Sequence, residues 1–128
     1  MNIKYLLSYI LLLLCVFSLP VKSCSEWQYA SLSFTNRAKI QNDELKDVYT
    51  FVFWNAPNEY GMWQNGKPLS GNIKITLTEY FKIDKVHALS ILNKIGTSGW
   101  EAYGFHTIQE SESDQTRQWQ FKKCKNLK

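Results

Sequence analysis

Only one stretch of the chain carries a strong helical period. Its apolar residues recur every three or four positions, which places them on one stripe of a helix with polar residues opposite. The stripe consists of Ala88, Leu89, Ile91, Leu92 and Ile95. Asp84 occupies a suitable N-cap position and Gly96 a suitable position for a left-handed C-terminal residue. The pattern therefore predicts one main helix over Lys85–Ile95.

Most other apolar residues alternate with polar ones or stand in β-branched and aromatic clusters, which favours strands. The predicted strands are Trp27–Phe34, Asp47–Asn55, Asn72–Ile83, Trp100–Gln109 and Thr116–Lys123. The polar stretch Thr35–Lys46 is predicted to be a loop. Together these elements predict an α+β fold, in which an antiparallel sheet of about five strands carries the helix on one face.

One predicted strand, Asp47–Asn55, is apolar on both faces. Val48, Val52 and Trp54 fall on one side, and Tyr49, Phe51 and Phe53 fall on the other. A single helix of about three turns shields only one side of such a sheet. We therefore expect the second face to be covered by a loop, a second subunit or a foreign partner.

The long connection Ala56–Gly71 is the main candidate for a binding segment. Asn65-Gly66 is a typical type I′ hairpin signal inside it. Connections of this length are often functional, and aromatic residues in water are costly unless they find a partner. The candidate partner-binding residues are Tyr60, Met62 and Trp63. The alternative is that they pack onto their own sheet.

The helix and the residues after it also carry a family resemblance. Leu92–Glu101, L-N-K-I-G-T-S-G-W-E, resembles the L-N-x-x-G-x-x-G-W-E motif of a family of small bacterial proteins, domain-of-unknown-function family 4177. Residues 27–34 resemble the family's first strand, and 86–123 its helix and final hairpin. The resemblance implies a single α+β domain over 24–128, with a strand-loop-strand insertion at about 47–83, and implies no activity.

The N-terminus has the pattern of a secretory signal peptide. Lys4 precedes the apolar run Tyr5–Phe17, and Val21 and Ser23 suit a cleavage site after residue 23. The run is short for a membrane span, which takes about 20 apolar residues. We therefore expect residues 1–23 to be removed and the protein to be exported, periplasmic or secreted. An uncleaved anchor is the alternative.

Charge argues against a nucleic-acid partner. The chain has a formal net charge of +4, which falls to +2 when Lys4 and Lys22 leave with the signal peptide. Nucleic-acid binding domains are usually far more basic. The expected partner is an unidentified protein or glycan, and a homodimer is a further possibility.

Cysteine usage suggests a disulfide. Cys15 lies in the signal peptide, so export leaves Cys24 and Cys124. If the first and last strands pair antiparallel, these two residues come together and form a bond that suits an exported protein. The alternative is a lipoprotein acylated on Cys24, although Lys22 is unusual in a lipobox.

No motif in the sequence predicts chemistry. His87 and His106 are the only histidines, and neither has a cysteine or carboxylate at metal-ligand spacing. We therefore predict no catalytic, cofactor-binding or metal-ligating residues. The expected function is that of a non-catalytic binding module. A structural lipoprotein, or a small hydrolase with a dispersed site, remains an alternative.

Overall fold

The computed structural model describes residues 23–42 and 44–127, so the predicted signal peptide lies outside the described residues except for Ser23. Within these residues the chain forms six strands and two helices. In chain order they are β1 (Cys24–Gln41), β2 (Glu44–Ala56), β3 (Glu59–Gln64), β4 (Lys67–Gly71), α1 (Leu77–Phe81), α2 (Ala88–Thr97), β5 (Glu101–Gln109) and β6 (Asp114–Leu127).

All six strands form one antiparallel sheet in the order β4-β3-β2-β1-β6-β5. The long strand β1 lies at its centre, where Leu32 stands opposite Trp54 of β2 and Trp119 of β6. The predicted antiparallel sheet and the predicted pairing of the first and last strands are therefore confirmed.

Both helices pack on the same side of the sheet, which we call the helix face. Leu32, Val52 and Trp63 from the strands are fully buried there, as are Leu77 of α1 and Ile91 of α2. Burying an aliphatic side chain of this size stabilises a fold by roughly 1.5–3 kcal/mol. The described helices leave the other side of the sheet, the open face, uncovered.

The main helix was predicted correctly in kind and wrongly at its ends. It begins at Ala88, after an extended His87 that makes no side-chain capping bond. Asp84 lies in a bend because the chain must turn to bring Val86 onto the core. Gly96 is inside the helix, and the left-handed residue is Gly99, with φ of 85°. The chain reverses there into β5.

The strand predicted over Asn72–Ile83 is wrong, because this segment contains α1. Thr76 caps α1: its hydroxyl accepts from the Glu79 backbone N–H, and its own N–H donates to the Glu79 carboxylate. This reciprocal capping box satisfies two amide donors and fixes the start of the helix. Lys82 ends it in a left-handed conformation, with φ of 52°.

The loop predicted over Thr35–Lys46 is also wrong. β1 and β2 continue through this stretch as a hairpin, with Ala38 opposite Val48 and Ile40 opposite Leu45. Over the residues that the structure describes, the chain is therefore predominantly β, with a six-stranded sheet and two short helices, rather than a five-stranded α+β domain with one main helix.

The connection Ala56–Gly71 folds as β3 and β4 and extends the sheet by two strands. The predicted turn at Asn65-Gly66 is confirmed, since both residues have positive φ, 50° and 80°. The Asn65 side chain accepts from the Thr50 backbone N–H at 2.9 Å. The predicted strand-loop-strand insertion is thus three strands followed by α1.

The predicted disulfide between Cys24 and Cys124 is present, with an S–S distance of 2.09 Å and a Cα–Cα distance of 5.6 Å. It joins the start of β1 to the end of β6. Because its sulfur is bonded to Cys124, the Cys24 thiol is not free for acylation in this structure. Among the described residues, no helix has the length and apolar character needed to cross a bilayer.

Candidate functional site

The open face carries side chains in rows that cross the sheet, because residues paired between strands point to the same side. One row contains Tyr60, Asn55, Ser31 and Gln120. The next row contains Met62, Phe53, Ser33 and Gln118. Both rows have a small hydroxyl residue of β1 at the centre and larger side chains on either side.

The small residues make a shallow groove along β1. Ser31, Ser33 and Thr35 form its floor, and two cavities lie on it in series. The first has a volume of about 330 Å³ and is lined by Ser33, Thr35, Arg37, Phe51, Phe53 and Met62. The second, of about 390 Å³, includes Tyr29, Ser31, Asn55, Pro57, Tyr103 and Gln120. The groove therefore follows the length of one strand, as an extended ligand requires.

The second cavity combines aromatic rings with amides. Tyr29 and Tyr103 meet edge to face with ring centroids 6.0 Å apart, and they are 59% and 51% exposed. Beside them, the side-chain amides of Asn55 and Gln120 make no hydrogen bond to any described residue. A Cβ at Gly104 would lie 2.8 Å from the Gln120 amide oxygen, so the glycine leaves room for that side chain.

Arg37 closes the opposite end of the groove, and its charge is already balanced. Its guanidinium lies 3.5 Å from Glu110, 3.9 Å from Asp114 and 5.5 Å from the centre of the Phe51 ring. These partly exposed pairs contribute little to stability. They hold the arginine in place, and this end of the groove carries no unbalanced positive charge.

The three residues predicted to bind a partner divide between the two faces of β3. Tyr60 is 49% exposed on the open face, and Met62 is half-buried in the wall of the first cavity. Trp63 has no exposed surface, and its indole N–H donates to the Ile75 carbonyl at 2.9 Å. The prediction that Trp63 contacts a partner is therefore wrong, because its side chain is core.

Sequence reasoning missed most of the groove. Tyr29, Asn55, Tyr103 and Gln120 come from four different strands, and nothing in the sequence links them. One signal was available in β1, where Ser31 and Ser33 alternate with the apolar residues of the core. That alternation already indicated a strand with one polar, solvent-facing side.

A third cavity, of about 410 Å³, lies on the helix face between α1, α2 and the ends of β2 and β3. Here the indole N–H of Trp54 donates to the Glu59 carboxylate at 3.2 Å. Burial raises the pKa of the neighbouring Tyr80 phenol far above its usual range, and its hydrogen bond to Glu59 and the charge of that carboxylate add to the rise.

The two histidines do not meet. His87 precedes α2 on the helix face, and His106 lies on the open face of β5 opposite Gln118. Within residues 23–42 and 44–127, no three histidine, cysteine or acidic side chains lie close enough to hold a metal ion.

Comparisons of the chain with models of known protein families, with curated proteins and with solved structures found no match.

Proposed function

We propose that this chain is an exported, non-catalytic binding module whose open face holds an extended glycan. One observation carries the proposal. The groove along β1 has a floor of hydroxyl side chains. Exposed aromatic rings border it, together with the amides of Asn55 and Gln120, which have no hydrogen-bond partner among the described residues. Tyr60 and Met62, predicted from the sequence as partner-binding residues, stand in its two rows.

The chemistry of the groove matches that of a sugar chain. A sugar ring has apolar C–H faces and hydroxyl groups around its edge. Tyr29 and Tyr103 provide amphipathic rings for the faces. Asn55 and Gln120 provide amide donors and acceptors for the hydroxyls. The apolar wall of Phe51, Phe53 and Met62 extends the same surface for further sugar units.

A glycan fits this surface better than a protein does. The centre of a protein interface is usually the most apolar and fully desolvated part of it. Here the centre is a line of serine and threonine hydroxyls on β1, with Phe51 and Phe53 on one side, Tyr103 on the other and Tyr29 at the end of the line. A protein partner would have to bury these hydroxyls at the centre of the interface, where aromatic side chains would normally lie.

Export and family membership are parts of the same proposal. Export is supported by the signal-peptide pattern of residues 1–23 and by the disulfide between Cys24 and Cys124, since such bonds persist in oxidising compartments. Membership of domain-of-unknown-function family 4177 rests on the motif at Leu92–Glu101.

The test is binding of the disulfide-bonded chain to a glycan array, followed by affinity measurements on the glycans retained. Tyr29→Ala and Tyr103→Ala should each lower affinity by about tenfold or more, because aromatic contacts dominate binding energy. Phe105→Ala is the matched control. Phe105 is 57% exposed on the same strand as Tyr103 and faces the other side of the sheet, against Trp119.

Retained binding in both tyrosine variants, or equal loss in the Phe105 variant, would contradict the assignment of this surface. If no glycan binds, and the two tyrosine variants instead lose a protein partner, then the surface is correct and the class of partner is wrong.

A further inference from the structure

The cavity on the helix face has the features of a second, separate binding site. Its volume of about 410 Å³ lies in the range of roughly 300–1,000 Å³ usual for small-molecule sites. Its lining consists of Trp54, Glu59, Tyr80, Phe81, Lys82, Lys94, Ile95, Thr97, Ser98 and Trp100. It lies across the sheet from the groove, so the two sites do not overlap.

A carboxylate held by hydrogen bonding lines the more buried part of this cavity. Glu59 is half-buried, and it accepts a hydrogen bond from the Trp54 indole at 3.2 Å, with the Tyr80 phenol beside it. No described lysine, arginine or histidine lies within ion-pair distance of it. The neighbouring groups therefore orient its charge without neutralising it.

Aromatic rings form the walls around this carboxylate. The Trp54 ring meets Trp100 at 5.9 Å and Phe81 at 6.1 Å, nearly perpendicular in both cases. The π-faces of such rings attract organic cations, most strongly where water is excluded. The Lys123 ammonium already illustrates this at one edge, since it lies 5.8 Å from the centre of Trp100 and donates to the Ser98 carbonyl.

The outer rim has the opposite charge. Lys82 and Lys94 line the cavity, are exposed and make no ion pair with any described residue. The left-handed conformation of Lys82 fixes its backbone at the end of α1. The cavity is thus negative and aromatic inside and positive at its mouth.

We infer that this cavity binds a small zwitterion, with its organic ammonium against Glu59 and the aromatic walls and its anionic group at Lys82 and Lys94. An isolated cation would leave the two rim lysines without a counter-charge. An isolated anion would have Glu59 facing it from inside the cavity. Only a ligand with both charges, the cation innermost, complements both ends.

The test uses the full disulfide-bonded chain and isothermal titration calorimetry, with tryptophan fluorescence as a second readout because two indoles line the cavity. Three probes separate the charges: glycerophosphocholine carries both, choline carries the cation alone, and glycerol phosphate carries the anion alone. Glycerophosphocholine should bind at least tenfold more tightly than either of the others.

Variants then test which residues bind the cationic and the anionic group of the ligand. Glu59→Gln keeps an oxygen for the Trp54 indole and should lower affinity for glycerophosphocholine about tenfold or more, while Glu112→Gln in the exposed β5–β6 turn should not. Lys94→Met should weaken glycerophosphocholine binding and leave choline binding unchanged, with Lys39→Met on exposed β1 as its control. Lys94→Met and its control Lys39→Met both alter exposed side chains, so the fold is preserved.

Phosphatidylcholine vesicles distinguish a lipid headgroup from a free zwitterion as the ligand. Binding to vesicles as well as to the soluble probe would identify a lipid headgroup, and binding to the soluble probe alone would identify a free zwitterion. The inference would be overturned if choline or glycerol phosphate bound as tightly as glycerophosphocholine, or if Glu59→Gln left the affinity unchanged. It would also be overturned if no probe gave a saturable signal. None of these results depends on the glycan groove.

Discussion

Tyr60 and Trp63, three residues apart on β3, have opposite environments because successive side chains of a strand point to opposite faces. Tyr60 lies on the open face with about half of its surface in water, whereas Trp63 is fully buried and bonded to the Ile75 carbonyl. Two aromatic residues of one short strand therefore serve different purposes, one at a surface and one in the core.

Replacing each of them by alanine should separate these purposes. Trp63→Ala should lower the free energy of unfolding by roughly 3–5 kcal/mol, because it removes a large core side chain and leaves a cavity. Tyr60→Ala should change it by no more than about 0.5 kcal/mol. Urea unfolding of the disulfide-bonded chain measures both. Similar losses in the two variants would contradict the assignment of Tyr60 to an exposed surface.

Tyr80 makes stability sensitive to alkaline pH. Its folded-state pKa lies above its ordinary value of 10.0, chiefly because it is partly buried and also because it bonds to Glu59. The phenol of Tyr80 therefore ionises at a lower pH in the unfolded chain than in the folded protein. Its contribution to the free energy of unfolding is complete below about pH 10 and is lost as the pH rises further. Tyr80→Phe should show a smaller loss of unfolding free energy above that pH.

Absorbance of ionised tyrosine gives an independent check. The Tyr80 phenol should ionise at a higher pH in the folded protein than in the unfolded chain. A phenol at this position that titrates near its ordinary pKa in the folded protein would contradict the burial and hydrogen bonding described for it.

At the residue scale, the sequence indicated which strand faces were apolar and could not indicate which residues meet. Phe51 and Phe53 were correctly expected opposite Val52 and Trp54. Glu59 and Tyr80 come together only because the chain folds back through β4 into α1. No local sequence pattern predicts that these two residues lie close together.

At the scale of elements, α1 is the part of the fold that depends most on a few side chains. It has only five residues, Leu77–Phe81, and a helix of that length has little stability of its own. Its capping box and the burial of Leu77 and Phe81 against the sheet hold it in place.

Thr76→Ala should therefore lower the free energy of unfolding by about 0.5–2 kcal/mol, the usual range for loss of an N-cap hydroxyl. Thr107→Ala, on the exposed surface of β5, is the matched control and should stay within about 0.5 kcal/mol. Urea unfolding distinguishes the two, and equal effects would count against the cap.

The same cap adds a pH dependence. Hydrogen bonds from the Thr76 side chain and backbone lower the pKa of the Glu79 carboxyl below its ordinary value of 4.5. A lowered folded-state pKa gives stability that is present above the unfolded value and lost as pH falls through the folded one. The difference in free energy of unfolding between the native protein and Thr76→Ala should therefore become smaller at acidic pH. A difference independent of pH would contradict this role for Glu79.

Local sequence signals explain which elements were predicted and which were not. The apolar alternation of Asn72–Ile83 favoured a strand, but the T-x-x-E pattern at Thr76–Glu79 was a capping-box signal that outweighed it. The Thr35–Lys46 hairpin escaped prediction because much of it is exposed on both faces, so no core imposes a period of two on its sequence.

At the scale of the whole molecule, the disulfide holds the first and last strands together across a sequence separation of 100 residues. β1 is a central strand of the sheet and β6 is its neighbour, so the bond joins the two ends of the described chain across adjacent strands. The sequence predicted this pairing because strand assignments at both ends placed the two cysteines at matching positions.

Replacing both cysteines by serine should lower the free energy of unfolding by roughly 4–5 kcal/mol on the loop-entropy treatment, since the closed loop is long. The native chain in a strong reductant should show a comparable loss, which serves as the control. A loss below about 1 kcal/mol in both would mean that the paired strands, and not the bond, restrain the ends.

The most direct test of the central claim, that the open face is the binding surface, is NMR chemical-shift mapping of the labelled, disulfide-bonded chain during titration with a glycan retained on the array. We expect the largest shifts at the side chains of the two groove rows and at Tyr29 and Tyr103, with α1 and α2 little changed. Shifts concentrated on the helices, with the groove unaffected, would contradict the account.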